Sequence, residues 1–273
     1  MKTVAVICEY DPFHRGHRQQ IDLIREVFGA DTTVVSLMSG NVVQRGRTAI
    51  YPKHVRAEAA IACGSDLVLE LPAPYACASA ESFARGAVTL LDRLGGIDVL
   101  AFGSENGNLD ELIAIADILR SEAYREALRL APDSESHPRK AAEVFEALGG
   151  KHFPTQPNDS LAVQYLAALR DLDSCITPFT YRREPGFSAS ASRRLLWEGQ
   201  DAVLMIPQEA LSVFASHTLT STAPYDALAL HLLRETEPTR LAGYYGMNGG
   251  VARLLQKTAL TVTTLETDRK SVV

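Results

Sequence analysis

Thr3-Val-Ala-Val-Ile-Cys8 is apolar at nearly every position, and β-branched residues dominate it. A strand with one wet face alternates apolar and polar residues, so an unbroken run of this kind predicts a strand buried on both faces. Residues 16–28 follow with Ile21, Leu23, Ile24, Val27 and Phe28 on a helical period. The same alternation repeats. Strands are expected at 32–37, 67–71 and 97–102, with helices at 53–63 and 80–94. Pro72 stops the third strand, and Gly95-Gly96 ends the helix before the fourth. Strand-helix-strand order of this kind requires a parallel sheet covered by helices on both faces. In such sheets ligands sit beyond the carboxyl ends of the strands.

The remainder is mostly helical in pattern. Helices are expected at 109–130, 139–148 and 160–169, with the polar break 132–138 between the first two. A fifth strand is expected at 175–181. Helices then follow at 193–197, 208–214, 227–233 and 251–260, and the polar end from 265 to 273 is expected to fray. The division this suggests is an α/β domain at 1–200 and a helical C-terminal region at 201–273.

Composition narrows the class. The 27 Lys and Arg against 33 Asp and Glu give a net charge of −6, which speaks against a whole-surface polyanion binder but allows a local basic patch. The N-terminal apolar run is too short, and Glu9 and Asp11 follow too soon, for a signal peptide. No stretch approaches the roughly 18 apolar residues of a membrane span. Cys8, Cys63, Cys77 and Cys175 form no CxxC pair, and they are expected to be reduced thiols in a cytoplasmic protein.

The string Glu9-Tyr-Asp-Pro-Phe-His-Arg-Gly-His17 joins the first strand to the first helix. Pro12 fixes the turn, and Gly16 removes a side chain where the backbone must come close to something. A helix N-terminus carries unpaired N–H groups and partial positive charge, which suit phosphate. His14 and His17 stand at that end and can donate hydrogen bonds to charge developing on a leaving pyrophosphate. Two ordinary histidines beside a loop are the competing reading. A metal held by His14, His17 and Cys8 or Glu9 is disfavoured, since no second ligand cluster closes such a site. Neither a Walker A motif nor GxGxxG is present. Further on, Phe187-Ser-Ala-Ser-Ala-Ser-Arg-Arg194 can cap a helix and hold phosphate through N–H groups and Arg193. On its own it also reads as an ordinary N-cap.

His-x-Gly-His after a first strand resembles the signature of the nucleotidyltransferase superfamily, and the Ser-rich turn ending in Arg resembles its second phosphate motif. Several further strings resemble the bacterial tRNA(Met) cytidine acetate ligase family. They are Val6 to His17, Ser39-Gly-Asn-Val-Val-Gln-Arg-Gly46, Gly64-Ser-Asp-Leu-Val-Leu-Glu-Leu-Pro72, Phe102-Gly-Ser-Glu105 and Pro157-Asn-Asp159. The resemblance covers about residues 1–200 strongly and continues to about 260. It implies an α/β fold, with a Rossmann-like nucleotidyltransferase domain on a parallel sheet and a helical C-terminal region after it.

The resemblance also implies the chemistry. ATP and acetate give acetyl-adenylate and pyrophosphate, and the acetyl group then passes to N4 of the wobble cytidine of elongator tRNA(Met). Carried over to this chain, the ATP site comprises Ile7, Cys8, Glu9, Tyr10, Asp11, Pro12, Phe13, His14, Arg15, Gly16, His17, Arg18, Gln19 and Gln20, with Gly103, Asn158 and Arg183. His14, His17 and Arg193 are the expected catalytic residues. Gln44 and Arg45 are expected on a covering loop near the phosphates or the tRNA. Mg²⁺ is expected with the nucleotide, without identifiable protein ligands. Neither membrane nor DNA is an expected partner.

The chain departs from the family pattern in places. Asp11 stands where Asn is usual, and it could pair with Arg15 or bind the ion. Ser190 and Ser192 replace Thr and an aliphatic residue. Family members run longer and end in a basic segment, whereas Arg253, Lys257, Arg269 and Lys270 are too sparse to anchor several phosphates. Two other functions compete: a nucleotidyltransferase that adenylylates a small molecule without tRNA, and a nucleotide-binding module without catalysis.

Overall fold

The computed structural model describes residues 1–131, 137–244, 247 and 249–264; it does not describe the side chains of Arg45, His137 and Pro138. Arg269, Lys270, the polar end 265–273 and most of the break at 132–138 therefore lie outside the described residues. The chain forms two compact units, Met1–Leu219 and Thr220–Val273.

The first unit is built on β1 (Thr3–Cys8), α1 (Arg15–Phe28), β2 (Thr33–Ser39), β3 (Val42–Val43), β4 (Arg47–Thr48), α2 (Lys53–Ala62) and β5 (Leu67–Leu71). It continues with α3 (Ala73–Ala76), α4 (Ala80–Leu94), β6 (Val99–Ser104), α5 (Leu109–Arg120), α6 (Glu122–Leu130), α7 (His137–Ala147), α8 (Pro157–Asp171), β7 (Thr177–Arg182), α9 (Ala189–Trp197) and α10 (Gln208–Phe214). Five strands make a parallel sheet in the order β5-β2-β1-β6-β7. The expected α/β architecture is the observed one.

Side chains on β1 alternate between two cores. Ala5 faces a cluster with Leu100 of β6, Phe83 and Leu91 of α4, Leu112 of α5 and Leu166 of α8. Val4 and Val6 face the other, with Ile21 and Ile24 of α1, Val55 and Ala59 of α2, and Phe214 of α10. Burial on both faces explains the unbroken apolar run. Ala202, Ile206 and Ala210 complete the second core, so 201–219 lie in the first unit.

The single helix expected at 109–130 is two. Ser121 turns extended at φ −64°, ψ 149°, and its hydroxyl caps α6 by accepting from Tyr124 N at 3.1 Å. Tyr124 then reaches the core.

The second unit contains α11 (Ala223–Glu235), α12 (Pro238–Leu241) and α13 (Gly249–Ala259). Leu230, Ala259 and Val262 form its small core, and Arg234 ties α11 to the carbonyls of Ala259 and Val262, both at 2.8 Å. Among the described residues, no helix is long and apolar enough to cross a membrane. The four cysteines are free.

Candidate active site

Strand order reverses between β1 and β6, because β1 leads to β2 on one side while β6 lies on the other. A reversal of this kind opens a crevice at the carboxyl ends of the strands. Here it is a cavity of about 420 Å³, lined by Ile7 and Cys8 from β1, Phe102 and Gly103 from β6, and Tyr181 from β7.

The chain leaves β1 through Tyr10 at φ 45° and the cis Asp11-Pro12 bond, then enters α1 at His14. His14 is the N-cap, and its Nδ1 accepts from Gly16 N at 3.1 Å. His17 reaches back, and its Nδ1 accepts from His14 N at 3.2 Å. The two histidines thus form a reciprocal capping box, a role that Ser and Glu fill elsewhere. The rings stack with centroids 3.7 Å apart and 19° between planes. Tyr10 meets His17 edge-on at 4.8 Å.

This arrangement assigns the protons. A neutral imidazole that accepts at Nδ1 carries its hydrogen on Nε2. Burial pushes the His14 pKa down to about 4, and the positive charges of Arg183 and Arg193 push the same way. Burial holds His17 well below the ordinary histidine range, with His14 and Arg183 adding to the effect. Both rings are therefore neutral Nε2–H donors at neutral pH, and both line the cavity.

Opposite α1, Ser188 caps α9 by accepting from Ala191 N at 3.2 Å. Ser188, Ala189 and Ser190 face the cavity with Arg193. Arg193 donates to the Asp11 carbonyl at 2.5 Å and lies 3.4 Å from Asp11 Oδ2. Asp11 is buried, and it also accepts from Ile50 N at 2.6 Å and from Arg47 on β4. Its charge is thus held between two guanidinium groups. Arg15 takes no part and donates instead to the Val203 carbonyl at 2.9 Å.

Gly103 permits a close crossing. A Cβ there would stand 2.6 Å from Arg183 Cγ and 3.0 Å from Tyr181 Cζ. Asn158 donates through Nδ2 to Glu105 Oε1 at 2.6 Å. Glu105 also accepts from Asp159 N at 2.9 Å, and Asp159 accepts from Glu105 N at 2.8 Å. Burial opposes ionisation of Glu105, but these bonds prevail and hold its carboxyl below the ordinary range.

Most of the expected nucleotide residues converge on the cavity: Ile7, Cys8, Glu9, Tyr10, Asp11, His14, Gly16, His17, Gln20, Gly103, Asn158 and Arg183. The expected catalytic Arg193 and the loop residue Gln44 line it too. Pro12, Phe13, Arg15, Arg18 and Gln19 do not. Phe13 packs against His17 at 5.4 Å, and Arg18 pairs with Asp22 and Glu209. The expected covering loop forms the β3–β4 hairpin, docked by Gln44 N donating to Glu9 Oε1 at 2.7 Å.

Sequence reading missed Tyr181, Tyr165, Arg47 and Arg56. Tyr181 stands at the carboxyl end of β7, where the strand-end rule could have found it. Arg56 is fully buried and donates to the carbonyls of Tyr51, Glu9, Ser39 and Gly40. It therefore holds the chain ends beyond β1 and β2 together. No local signal distinguishes it from a surface arginine of α2.

Four likenesses bear on this geometry. The family model described as HIGH Nucleotidyl Transferase matches residues 1–272. A tRNA(Met) cytidine acetate ligase of Syntrophotalea carbinolica is 38% identical, over 96% of this chain and 67% of that protein. Another, from a Thermoanaerobacter species, is 42% identical over 67% of this chain and 47% of that protein. The crystal structure of Thermotoga maritima TmcAL bound with alpha-thio ATP is similar at TM-score 0.88 and 27% identity, covering 97% of this chain and 69% of that one. The chain thus spans between about half and about two thirds of the length of these relatives. It belongs to the HIGH nucleotidyltransferases and, within them, to the tRNA(Met) cytidine acetate ligase family.

Proposed function

We propose that this protein activates acetate with ATP, forming acetyl-adenylate and pyrophosphate, and transfers the acetyl group to N4 of the wobble cytidine of elongator tRNA(Met). The observation that carries the reading is the pair of neutral histidines at the N-terminus of α1, sharing one cavity with Arg183 and Arg193. Attack of a carboxylate oxygen on the α-phosphorus brings two anions together and releases a third. Catalysis therefore needs positioning and charge stabilisation rather than a covalent enzyme intermediate.

The arginines offset repulsion between acetate and triphosphate. The Nε2–H groups donate to charge developing on the departing pyrophosphate, helped by the partial positive charge at the N-terminus of α1. Because both rings are neutral, they stabilise that charge by hydrogen bonding without trapping the product as fixed cations. The apolar wall of Phe83, Phe102 and Leu161 limits water around the mixed anhydride. Both carboxylate oxygens of Asp11 are already engaged, one by Ile50 N and one by Arg47. Mg²⁺ would therefore be held through the triphosphate, where it would neutralise phosphate charge. The cytoplasm, which supplies both ATP and tRNA, is the setting we assign.

The test is incubation with ATP, labelled acetate and elongator tRNA(Met) transcript, followed by nucleoside analysis. N4-acetylcytidine at the wobble position is expected, and none when that cytidine is replaced by uridine. A chain that exchanges pyrophosphate only with a phosphate-bearing acceptor would instead be the small-molecule adenylyltransferase. ATP binding without any turnover would leave a nucleotide-binding module.

A further inference from the structure

Acetyl transfer creates a proton problem. The attacking exocyclic amine becomes strongly acidic as its nitrogen bonds to the acetyl carbon, and something must take the proton. Most groups around the cavity are unable to. His14 and His17 carry hydrogen on Nε2 and use Nδ1 to accept from backbone amides. Asp11 has both carboxylate oxygens engaged, one by Ile50 N and one by Arg47. The Cys8 thiol points to the Leu37 carbonyl, 3.7 Å away, and burial keeps it protonated. Burial likewise raises Tyr165 and Tyr181, the latter to about 12. Arg183 and Arg193 are cations.

Glu9 is the exception. It lines the same cavity, Oε1 accepts from Gln44 N at 2.7 Å, and among the described residues Oε2 has no hydrogen-bond partner. We propose that Glu9 is the proton acceptor of the acetyl-transfer step. The role rests on the reading above. The amine lone pair forms the N–C bond to the acetyl carbon. The bond from that carbon to the phosphate oxygen breaks, its electron pair leaves with AMP, and one N4 proton passes to Glu9 Oε2.

The surroundings suit the task. Burial raises the Glu9 pKa above the ordinary carboxylate range; the bond from Gln44 N opposes this, Asp11 adds to it, and Arg47 and Arg193 counter it. Arg56 on α2, Cys8, Tyr165 on α8 and Cys77 after α3 are the other titratable or charged groups that sense Glu9. A carboxylate made more basic is, in its ionised form, a better proton acceptor.

Glu9→Gln tests this in the full chain, since an amide oxygen can still accept from Gln44 N. Acetate-dependent pyrophosphate exchange reports the first half-reaction, and N4-acetylcytidine in tRNA reports the second. Expected is a fall of about 100-fold in the ratio of tRNA acetylation to exchange. Wild type is expected to lose transfer on the acid side of its pH profile, and that loss should vanish in E9Q. Glu9→Asp should recover part of the ratio, and it covers the case in which E9Q does not fold. A ratio in E9Q within about threefold of wild type would overturn the role, as would exchange and transfer falling together. Wild-type protein without acetate-dependent exchange would fail the underlying reading instead, and the role of Glu9 with it.

Discussion

Arg193 donates from Nη1 to the main-chain carbonyl of Asp11 at 2.5 Å, across 182 positions of sequence. The contact joins the Ser-capped start of α9 to the turn that precedes α1, so both cavity-lining segments share one side chain. Burial lowers the Arg193 pKa, and Arg47 adds to this, while Asp11 and Glu9 oppose it.

Replacing Arg193 should therefore harm catalysis and stability together. Arg193→Ala is expected to slow acetate-dependent exchange at least about 100-fold and to cost about 1–3 kcal/mol, the range for a charge-assisted bond left unmade. Arg193→Lys keeps the charge but not the planar fork, so it should fall between. Urea unfolding and initial rates measure both effects. R193A with wild-type rates would remove Arg193 from the mechanism.

His17 has two separable jobs, and two variants divide them. Asn places an oxygen near the site of Nδ1 but nothing at Nε2. His17→Asn should thus keep stability within about 0.5 kcal/mol while lowering exchange about 100-fold or more. His17→Ala should lose the cap as well, about 0.5–2 kcal/mol. Equal stability of H17N and H17A would deny the capping role seen at 3.2 Å.

The protein should lose stability in mild acid. His14 titrates at about 4 when folded, against an ordinary value of 6.5. The unfolded chain takes up the proton first as pH falls. His14's contribution is therefore complete above about 6.5 and is lost progressively down to about 4, amounting to about 3 kcal/mol. His17 acts in the same direction. Urea midpoints between pH 7 and pH 4.5 measure the slope, and His14→Asn, which retains an N-cap oxygen, should reduce it. A slope unchanged in H14N would place the titration elsewhere.

Gly103→Ala places a methyl 2.6 Å from Arg183 Cγ. Arg183 must move, and the KM for ATP should rise about tenfold or more, as when a charge-assisted contact is lost. Fluorescence unfolding should show that the fold persists. An unchanged KM would mean that Arg183 does not meet the nucleotide.

Local pattern carried much of this molecule. The apolar run of β1 and the helical period of α4 are fixed by nearest neighbours and by burial on two faces, so both were readable along the chain. The histidines were legible as a motif, but their reciprocal capping was not. That role depends on the turn through Tyr10 and Pro12, which delivers His14 as an N-cap. The β3–β4 hairpin has two residues per strand and is docked by Glu9 and Asp11, so no periodicity announces it. In sequence, Asp11 is a candidate partner of Arg15 or of the ion. Only the fold shows Arg47 and Arg193 enclosing it, and shows Arg15 turned towards Val203. Long-range partners of this kind leave no spacing to read.

The most direct measurement is exchange of labelled pyrophosphate into ATP, with and without acetate. Expected is exchange that appears on adding acetate and is abolished in H17N. Exchange no greater with acetate than without it would contradict acetate activation at this site, as would exchange that requires a phosphate-bearing acceptor.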